Sequence, residues 1–527
     1  TVSSDSFSYI RLKHPYSRDL RVEVEVSTPL KDFFHVGVFL YGDSPDSGYT
    51  FHINYDGQGT HGITYPGDRF LFYNYDPLKH DATHSYTVAI ERKRSTITYR
   101  LNGVLIARQR DFFPPLGPRH QNVGFYSRGG IARFDNLRIY QRAIPLSPSP
   151  TLIADRLWER GDFKAALEEY RGLHLDFANS DISREILIRV PDCLIRMGRA
   201  DEALRALRQT PLSKLRDEHT QAKALFLRGM AHRRRQAHAE ADSVLEVAVT
   251  RFPADPVSDA AAVELIRNTA RAIREERIKS AETRLTALAP KLPRYGQELG
   301  RLHLQIMGRH IRRGDPDRAL AAGQSIGKLY PREENIQAKA QVKSAYVHLG
   351  KRKKPRAIDI LNQCIATHIY TEGVWDAWML LGEIYEYDFN FTDAMTIYRK
   401  VFREAPKGTA IPWMARIKMG EIAEACAYEE APDSIFDHVI EAAHPFAFPR
   451  LIAEFYRGDL LESRFMQRWS TLGPHERHYL HYFARKAILD REMAVARVYL
   501  QEMRQFLPPG SWPYIKVYQT INNLDRF

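Results

Sequence analysis

Two carboxylates, Glu23 and Glu25, stand two residues apart in a run where they alternate with valines. On a strand that spacing puts both on one face, and a nucleophile beside an acid is what glycoside hydrolysis uses. The run continues Ser27-Thr28-Pro29 and offers no third acid, so a rim position paired with Arg21 is the simpler reading. Gly57-Gln58-Gly59-Thr60-His61-Gly62 has the spacing of a dinucleotide loop. The chain then runs Ile63-Thr64-Tyr65-Pro66-Gly67, another strand and turn, where a helix would have to face the pyrophosphate. His475-Glu476-Arg477-His478, with His481 beyond, has metal-ligand residue types. The first two histidines are three apart, not four, and no Cys or acidic run completes a ligand set.

Short basic runs occur at Arg92-Lys93-Arg94, Arg233-Arg234-Arg235 and Lys351-Arg352-Lys353-Lys354. None has interleaved aromatics, which argues against nucleic acid as a partner. Cys193, Cys364 and Cys426 are widely spaced and odd in number, so they form neither a disulfide framework nor a metal knuckle. They are expected as buried free thiols in helices. A nucleophile elbow, a Walker loop and kinase motifs are all missing. The expectation is no catalytic residue, no cofactor and no metal.

A chain of 527 residues exceeds one compact core and implies several domains. With 27% charged and 44% hydrophobic residues the composition is that of a folded protein, and the net charge of +12 is a mild bias. The apolar runs, such as Trp378-Met379-Leu380-Leu381, are far too short to span a bilayer. The start at Thr1-Val2-Ser3-Ser4, without an initiator Met or signal segment, suggests processing or a piece of a longer protein. Near residue 145 the character changes: Pro145-Leu146-Ser147-Pro148-Ser149-Pro150 can continue neither strand nor helix, and all six Trp lie beyond it.

Before that point the period is two. Val22, Val24 and Val26 alternate with charges, Tyr49, Phe51, Ile53 and Tyr55 with Thr50, His52 and Asn54, and Tyr86, Val88 and Ile90 with polar residues. This predicts antiparallel strands with one packed and one wet face, closed into a two-sheet sandwich. Asn102-Gly103 between Ile97–Leu101 and Val104–Ala107 predicts a hairpin. On the faces opposite the apolar ones, His52, Asn54, Tyr73 and Tyr75 are the candidate ligand residues, because sugars stack on rings and need paired donors. The same aromatics also suit a core.

The order His84–Arg92, Leu101-Asn102-Gly103-Val104, Val123-Gly124-Phe125-Tyr126-Ser127 and Arg133-Phe134-Asp135-Asn136-Leu137-Arg138-Ile139-Tyr140 resembles the concanavalin A-like lectin/glucanase superfamily. The resemblance is nearest its branch of bacterial 3-keto-disaccharide hydrolase-like domains. It implies a jelly roll over about residues 20–142 and says little about activity.

Beyond residue 150 small residues recur at Ala166, Ala203, Ala241, Ala281, Ala319, Ala357 and Ala394. Ala241, Ala281, Ala319, Ala394 and Ala496 are each followed at one offset by a proline, Pro253, Pro293, Pro331, Pro406 and Pro508. A small residue lets antiparallel helices approach, and the proline stops the second one. Trp378-x-x-Leu381-Gly382-x-x-Tyr385, then Phe391-x-x-Ala394-x-x-x-Tyr398 and Pro406, resembles a tetratricopeptide repeat, and weaker copies extend the resemblance over about 150–420 and 484–508. It implies a curved solenoid whose groove holds a protein or peptide partner. By position in the repeat, Lys223, Met230, Arg233, Asp376, Met379, Glu383 and Glu386 face that groove.

The expected organisation is an all-β concanavalin A-like jelly roll at 1–144, a linker at 145–150, a tetratricopeptide-like α-solenoid at 151–428, and an irregular helical part at 429–527 ending in a repeat-like hairpin. The pairing resembles the C-terminal extracytoplasmic region of bacterial Ser/Thr kinases of the planctomycete and verrucomicrobia type, which implies a kinase and one membrane helix before residue 1. The function expected is non-enzymatic binding or sensing, with a protein in the groove and a glycan as a further ligand of the sandwich. The alternative is a carbohydrate-active enzyme with a docking solenoid, Glu23 and Glu25 doing the chemistry.

Overall fold

The computed structural model describes the chain except residues 1, 5–7, 13, 15, 17–18, 28–34, 54–59, 66–71, 76–84, 94, 112–113, 129, 142–148, 177–180, 211, 213–214, 216, 407–408, 427–430, 444–446, 473–477 and 525–527. Its strands are β1 (Val2–Ser4), β2 (Ser8–Arg11), β3 (Leu20–Ser27), β4 (His35–Leu40), β5 (Tyr49–Ile53), β6 (Thr60–Thr64), β7 (Phe72–Tyr75), β8 (Ser85–Lys93), β9 (Thr96–Leu101), β10 (Val104–Arg110), β11 (Val123–Arg128) and β12 (Gly130–Gln141). They form two antiparallel sheets, ordered β1-β12-β3-β8-β9-β10 and β2-β11-β4-β5-β6-β7. Val22, Val24 and Val26 of the first sheet pack with Val38, Phe51 and Phe125 of the second in one sandwich core. Asn102 and Gly103 join β9 to β10 with φ of 51° and 81°, the left-handed pair a type I′ hairpin demands.

The two sheets differ. On β8 buried and more exposed side chains alternate, as the period predicts, whereas β4 and β5 are buried on both faces, contrary to the expected wet face. Aromatic rings pave that outer face and glycines beneath make room. The Tyr126 ring covers Gly37, where a Cβ would sit 2.5 Å from ring carbon Cε1. The polar groups there bond one another, which offsets the cost of burying them.

The helices run α1 (Leu152–Arg160), α2 (Phe163–Asp176), α3 (Asp181–Arg196), α4 (Ala200–Gln209), α5 (Glu218–Arg234), α6 (His238–Arg251), α7 (Pro256–Arg274), α8 (Ile278–Leu288), α9 (Gly296–Arg312), α10 (Pro316–Leu329), α11 (Glu334–Gly350), α12 (Lys354–Thr367), α13 (Glu372–Tyr387) and α14 (Phe391–Glu404). They continue as α15 (Ile411–Cys426), α16 (Pro432–Ala442), α17 (Ala447–Tyr456), α18 (Glu462–Leu472), α19 (Tyr479–Leu489), α20 (Met493–Phe506) and α21 (Trp512–Asn523). Consecutive helices pack as hairpins, and odd-numbered helices from α3 to α15 also pack on the next odd-numbered one. This is the stacking of a solenoid.

One turn recurs. Among the described residues a left-handed residue recurs in the turn after the first helix of a hairpin: Gly161, Gly198, Gln236, Glu276, Gly314, Arg352, Phe389 and Arg491, with Gly458 after α17. The neighbouring charges are riveted from turn to turn. Arg235 pairs with Asp201, Arg309 and Arg313 with Glu276, Lys351 with Asp317, and Lys354 with Asp388. Much of the basic runs at 233–235 and 351–354 is therefore engaged by neighbouring repeats.

Close approach within a hairpin falls where the small residues predict. A Cβ on Gly382 would lie 2.6 Å from Cε1 of Tyr398, and Gly420 stands in the same relation to Phe436. In an open helix Gly→Ala gains up to about 1 kcal/mol. Gly382→Ala is instead expected to lose about 1–2 kcal/mol, because the buried Tyr398 ring has to move; the urea unfolding midpoint measures it.

The sandwich sits on the solenoid. Val263 of α7 belongs to the sandwich core, and the Arg267 guanidinium lies 5.1 Å over the Tyr65 ring. Arg196 Nη1 donates to the Pro114 carbonyl at 2.8 Å, and Arg110 faces Asp259 at 3.8 Å. Among the described residues no helix is long and apolar enough to cross a membrane.

Candidate functional site

Val263 precedes Ala281 by the same offset at which Asp376 precedes Ala394. It is thus an inner-face position of its repeat, and the sandwich fills it. The inner faces are not one open trough, as the repeat pattern alone suggests; two stretches of them are covered by the chain itself.

The second covered stretch lies at α13 and α15. Glu383 accepts from Lys516 Nζ of α21 at 2.8 Å, and Glu386 from Arg485 Nη2 of α19 at 3.1 Å. Glu421 on α15 accepts from Lys418 Nζ at 2.9 Å and from the Tyr456 hydroxyl at 3.0 Å, with Arg485 Nε 3.2 Å away. Burial works to raise the Glu421 pKa, yet Lys418 and Arg485 hold it below the usual carboxylate range. Glu383 is likewise held down by Lys516 and Lys418 against its own burial. Below α19 and α21 remains a cavity of about 630 Å³ lined by Glu383, Glu386, Lys418, His481, Arg485 and Lys516 among apolar side chains.

Between the two closures the inner face stays half-buried. Asp376 on α13 makes no hydrogen bond or ion pair with any described residue, and burial pushes its pKa up to about 6, with Glu372 adding and Lys339 and Lys343 opposing. Lys343 on α11 is pushed down by burial against the attraction of Asp376, and it too makes no hydrogen bond or ion pair with any described residue. Lys339 is taken by Glu372 at 2.6 Å. Met379, half-buried and three residues along α13 from Asp376, packs against the hydrophobic core of this stretch.

The other expected groove residues lie apart on α5. Met230 is 7% exposed in the core, Arg233 pairs with Glu264 of α7, and Lys223 is half-buried with its pKa lowered by burial and by Arg189.

In the sandwich, His52 shares a rung with Gly62 and hence with Tyr73, and Tyr75 pairs with Thr60. Asn54 lies outside the described residues, and β7 is described by its backbone alone. His52 itself is buried in a closed network. Its Nδ1 meets Tyr126 and, at 3.1 Å, His35 Nε2, while its Nε2 bonds Thr64 Oγ1 at 2.9 Å. Burial pushes its pKa down to about 3. Glu23 accepts from Arg21 Nε at 2.8 Å and Glu25 from Asn136 Nδ2 at 2.8 Å. His475 lies outside the described residues, and His478 and His481 border the cavity. Cys193 and Cys364 are buried free thiols.

Residues 376–408 match the tetratricopeptide repeat family. The matched unit is α13 with α14, so Asp376, Met379, Glu383 and Glu386 all lie on the first helix of a tetratricopeptide hairpin. The N-terminal part is similar in fold to a carbohydrate-binding module, CBM66, from Bacillus subtilis (15% identity, 26% of this chain and 84% of that one, TM-score 0.23). It is also similar to the galectin LEC-6 of Caenorhabditis elegans (15%, 26% and 100%, TM-score 0.18). The tetratricopeptide domain of P58(IPK) is similar over 72% of this chain and 96% of its own, at 12% identity and TM-score 0.18. No curated protein matches the chain by sequence. The chain is an antiparallel β-sandwich followed by a helical solenoid with tetratricopeptide-type repeats.

Sequence reasoning missed Lys418, Glu421, Arg485 and Lys516. Glu383 and Lys516 are 133 residues apart, and no local pattern announces such a meeting. One signal was available: Gly420 over Phe436 repeats Gly382 over Tyr398, which places Glu421 where Glu383 stands in the previous unit.

Proposed function

We propose that the chain is a non-catalytic interaction scaffold that takes a polypeptide segment on the inner face of α11 and α13. Asp376 and Lys343, half-buried opposite charges that form no hydrogen bond or close ion pair with any described residue at the tetratricopeptide unit, carry this reading. Burying charge without hydrogen-bonded partners is costly, and a segment bringing a donor to Asp376 and an acceptor to Lys343 offsets that cost, while Met379 packs an apolar side chain. The covered stretches limit the site to that region, so a short segment suits it better than one laid along the whole array.

A photoreactive benzoylphenylalanine at position 379 tests the proposal. Irradiation in extracts of the source cell is expected to give a discrete protein adduct that Asp376→Ala with Lys343→Ala reduces at least about tenfold, the loss of two charge-assisted bonds. Crosslinks confined to the chain's own residues, or an adduct indifferent to both substitutions, would sink it.

Glycan binding by the sandwich is an extension of this proposal, supported by the superfamily resemblance and by the backbone rung on which Gly62 separates His52 from Tyr73. It has to use groups other than His52, whose nitrogens are engaged. The extracytoplasmic setting beside a kinase is a further extension and rests on the resemblance of the paired modules alone.

A further inference from the structure

The cavity under α19 and α21 does not belong to the peptide face. Its polar patch is built from both sides: Glu383 and Glu386 from α13, Lys418 from α15, His481 and Arg485 from α19, and Lys516 from α21. All sit at the inner face, yet Glu386, Lys418, Arg485, Glu383 and Lys516 keep 14%, 15%, 22%, 23% and 29% of their side chains accessible, against 1% for Glu421 behind them. These charged groups retain access because they line the walls of a partly open cavity. Met414, Phe448, Trp469, Ile488 and Phe506 give that space apolar walls. At about 630 Å³ it falls within the range of small-molecule sites.

The charges define the ligand. Three carboxylates, counting Glu421, face three cations, each acid within 3.2 Å of a base, so the patch is neutral as a whole. A ligand with net charge would leave one charge uncompensated in a low-dielectric space. A ligand with one charge of each sign would not, since its ammonium finds Glu383 and Glu386 and its carboxylate finds Lys418, Arg485 and Lys516. His481 adds a hydrogen-bonding group: its imidazole has no side-chain hydrogen bond to any described residue, and burial together with the flanking cations keeps it neutral, with one donor and one acceptor.

We propose that this cavity binds a small zwitterion with an apolar body, the chemistry of a free amino acid with an aromatic or branched side chain. The full chain is titrated with L-phenylalanine and L-leucine by calorimetry, beside 3-phenylpropionate, which lacks the ammonium, 2-phenylethylamine, which lacks the carboxylate, and glycine, which lacks the body. At least one of the two amino acids is expected to bind with Kd below about 1 mM, and each of the other three at least about tenfold more weakly. Ala410→Trp, which fills the cavity from its wall, and Glu383→Gln are each expected to weaken binding at least about tenfold. Asp376→Asn leaves it unchanged, which separates this site from the peptide face. Failure of both amino acids to bind, equal binding of either single-charge analogue, or full binding by Ala410→Trp overturns the proposal.

Discussion

Arg485→Met is expected to destabilise the chain by about 3–5 kcal/mol, the cost of breaking a buried ion pair from one side. The guanidinium serves two carboxylates at once, Nη2 to Glu386 and Nε to Glu421. Glu421 is 1% exposed, so losing Arg485 leaves it with Lys418 and the Tyr456 hydroxyl alone. Arg485→Lys is expected to recover only part of the loss, because one ammonium cannot replace two nitrogens held in a planar fork. Arg485→Met combined with Glu386→Gln should be less harmful than Arg485→Met alone, since the second change removes one stranded charge. Urea denaturation followed by circular dichroism reads all three. A loss below about 1 kcal/mol for Arg485→Met would mean that water in the cavity screens these pairs as it screens surface ones.

Asp376→Asn has the opposite sign. The folded carboxyl keeps its proton up to about pH 6, whereas an unfolded aspartate releases it near its ordinary value of 3.8. Between those values the folded state binds more protons, so this group makes stability fall as pH rises through the window. The full effect is about 2–3 kcal/mol, already reduced for the solvent contact that Asp376 retains. Asparagine removes it: at pH 7 the variant is expected to be more stable than the parent, and the difference should shrink to nothing below pH 4. Glu372 raises the Asp376 pKa and Lys339 and Lys343 lower it, and all three are present in both proteins. Melting temperatures at pH 4, 5, 6 and 7 provide the check. A stabilising substitution at a binding position would also explain why a charge is kept there, as stability yielded to function.

Much of the architecture can be read in the chain because it is written in local periods. The alternation of Val22, Val24 and Val26, the Asn102-Gly103 turn, and the Gly382, Ala394 and Tyr398 spacing each depend on residues close in sequence. The outer face of β4 and β5 looks wet in sequence because His52 and Thr50 are polar, and nothing local says that Tyr126, 74 residues beyond His52, packs against that histidine. The inner-face residues are legible as positions but not as contacts. Glu383 and Glu386 meet bases from α19 and α21, whereas Asp376 forms no hydrogen bond or ion pair with any described residue, a difference set by where distant helices land. The left-handed turns show the same limit: Gly161, Gly198 and Gly314 announce theirs, whereas Gln236, Glu276, Arg352, Phe389 and Arg491 hold the same conformation with no such mark.

The return of α21 onto α11 alters how the molecule must come apart. A linear array can fray from either end, each unit lost at the price of a single interface. Here the last helix is bolted to a much earlier one, with Trp512 sunk in the same core as Leu349 and Ile384. Fraying from the C-terminus is therefore blocked until that bolt breaks, and when it does, the stretch from α11 onward loses its shape together. Assembly obeys the mirror image: the final hairpin has nowhere to land until the units it closes upon have stacked, so the loop of chain between them makes this the slow, late step.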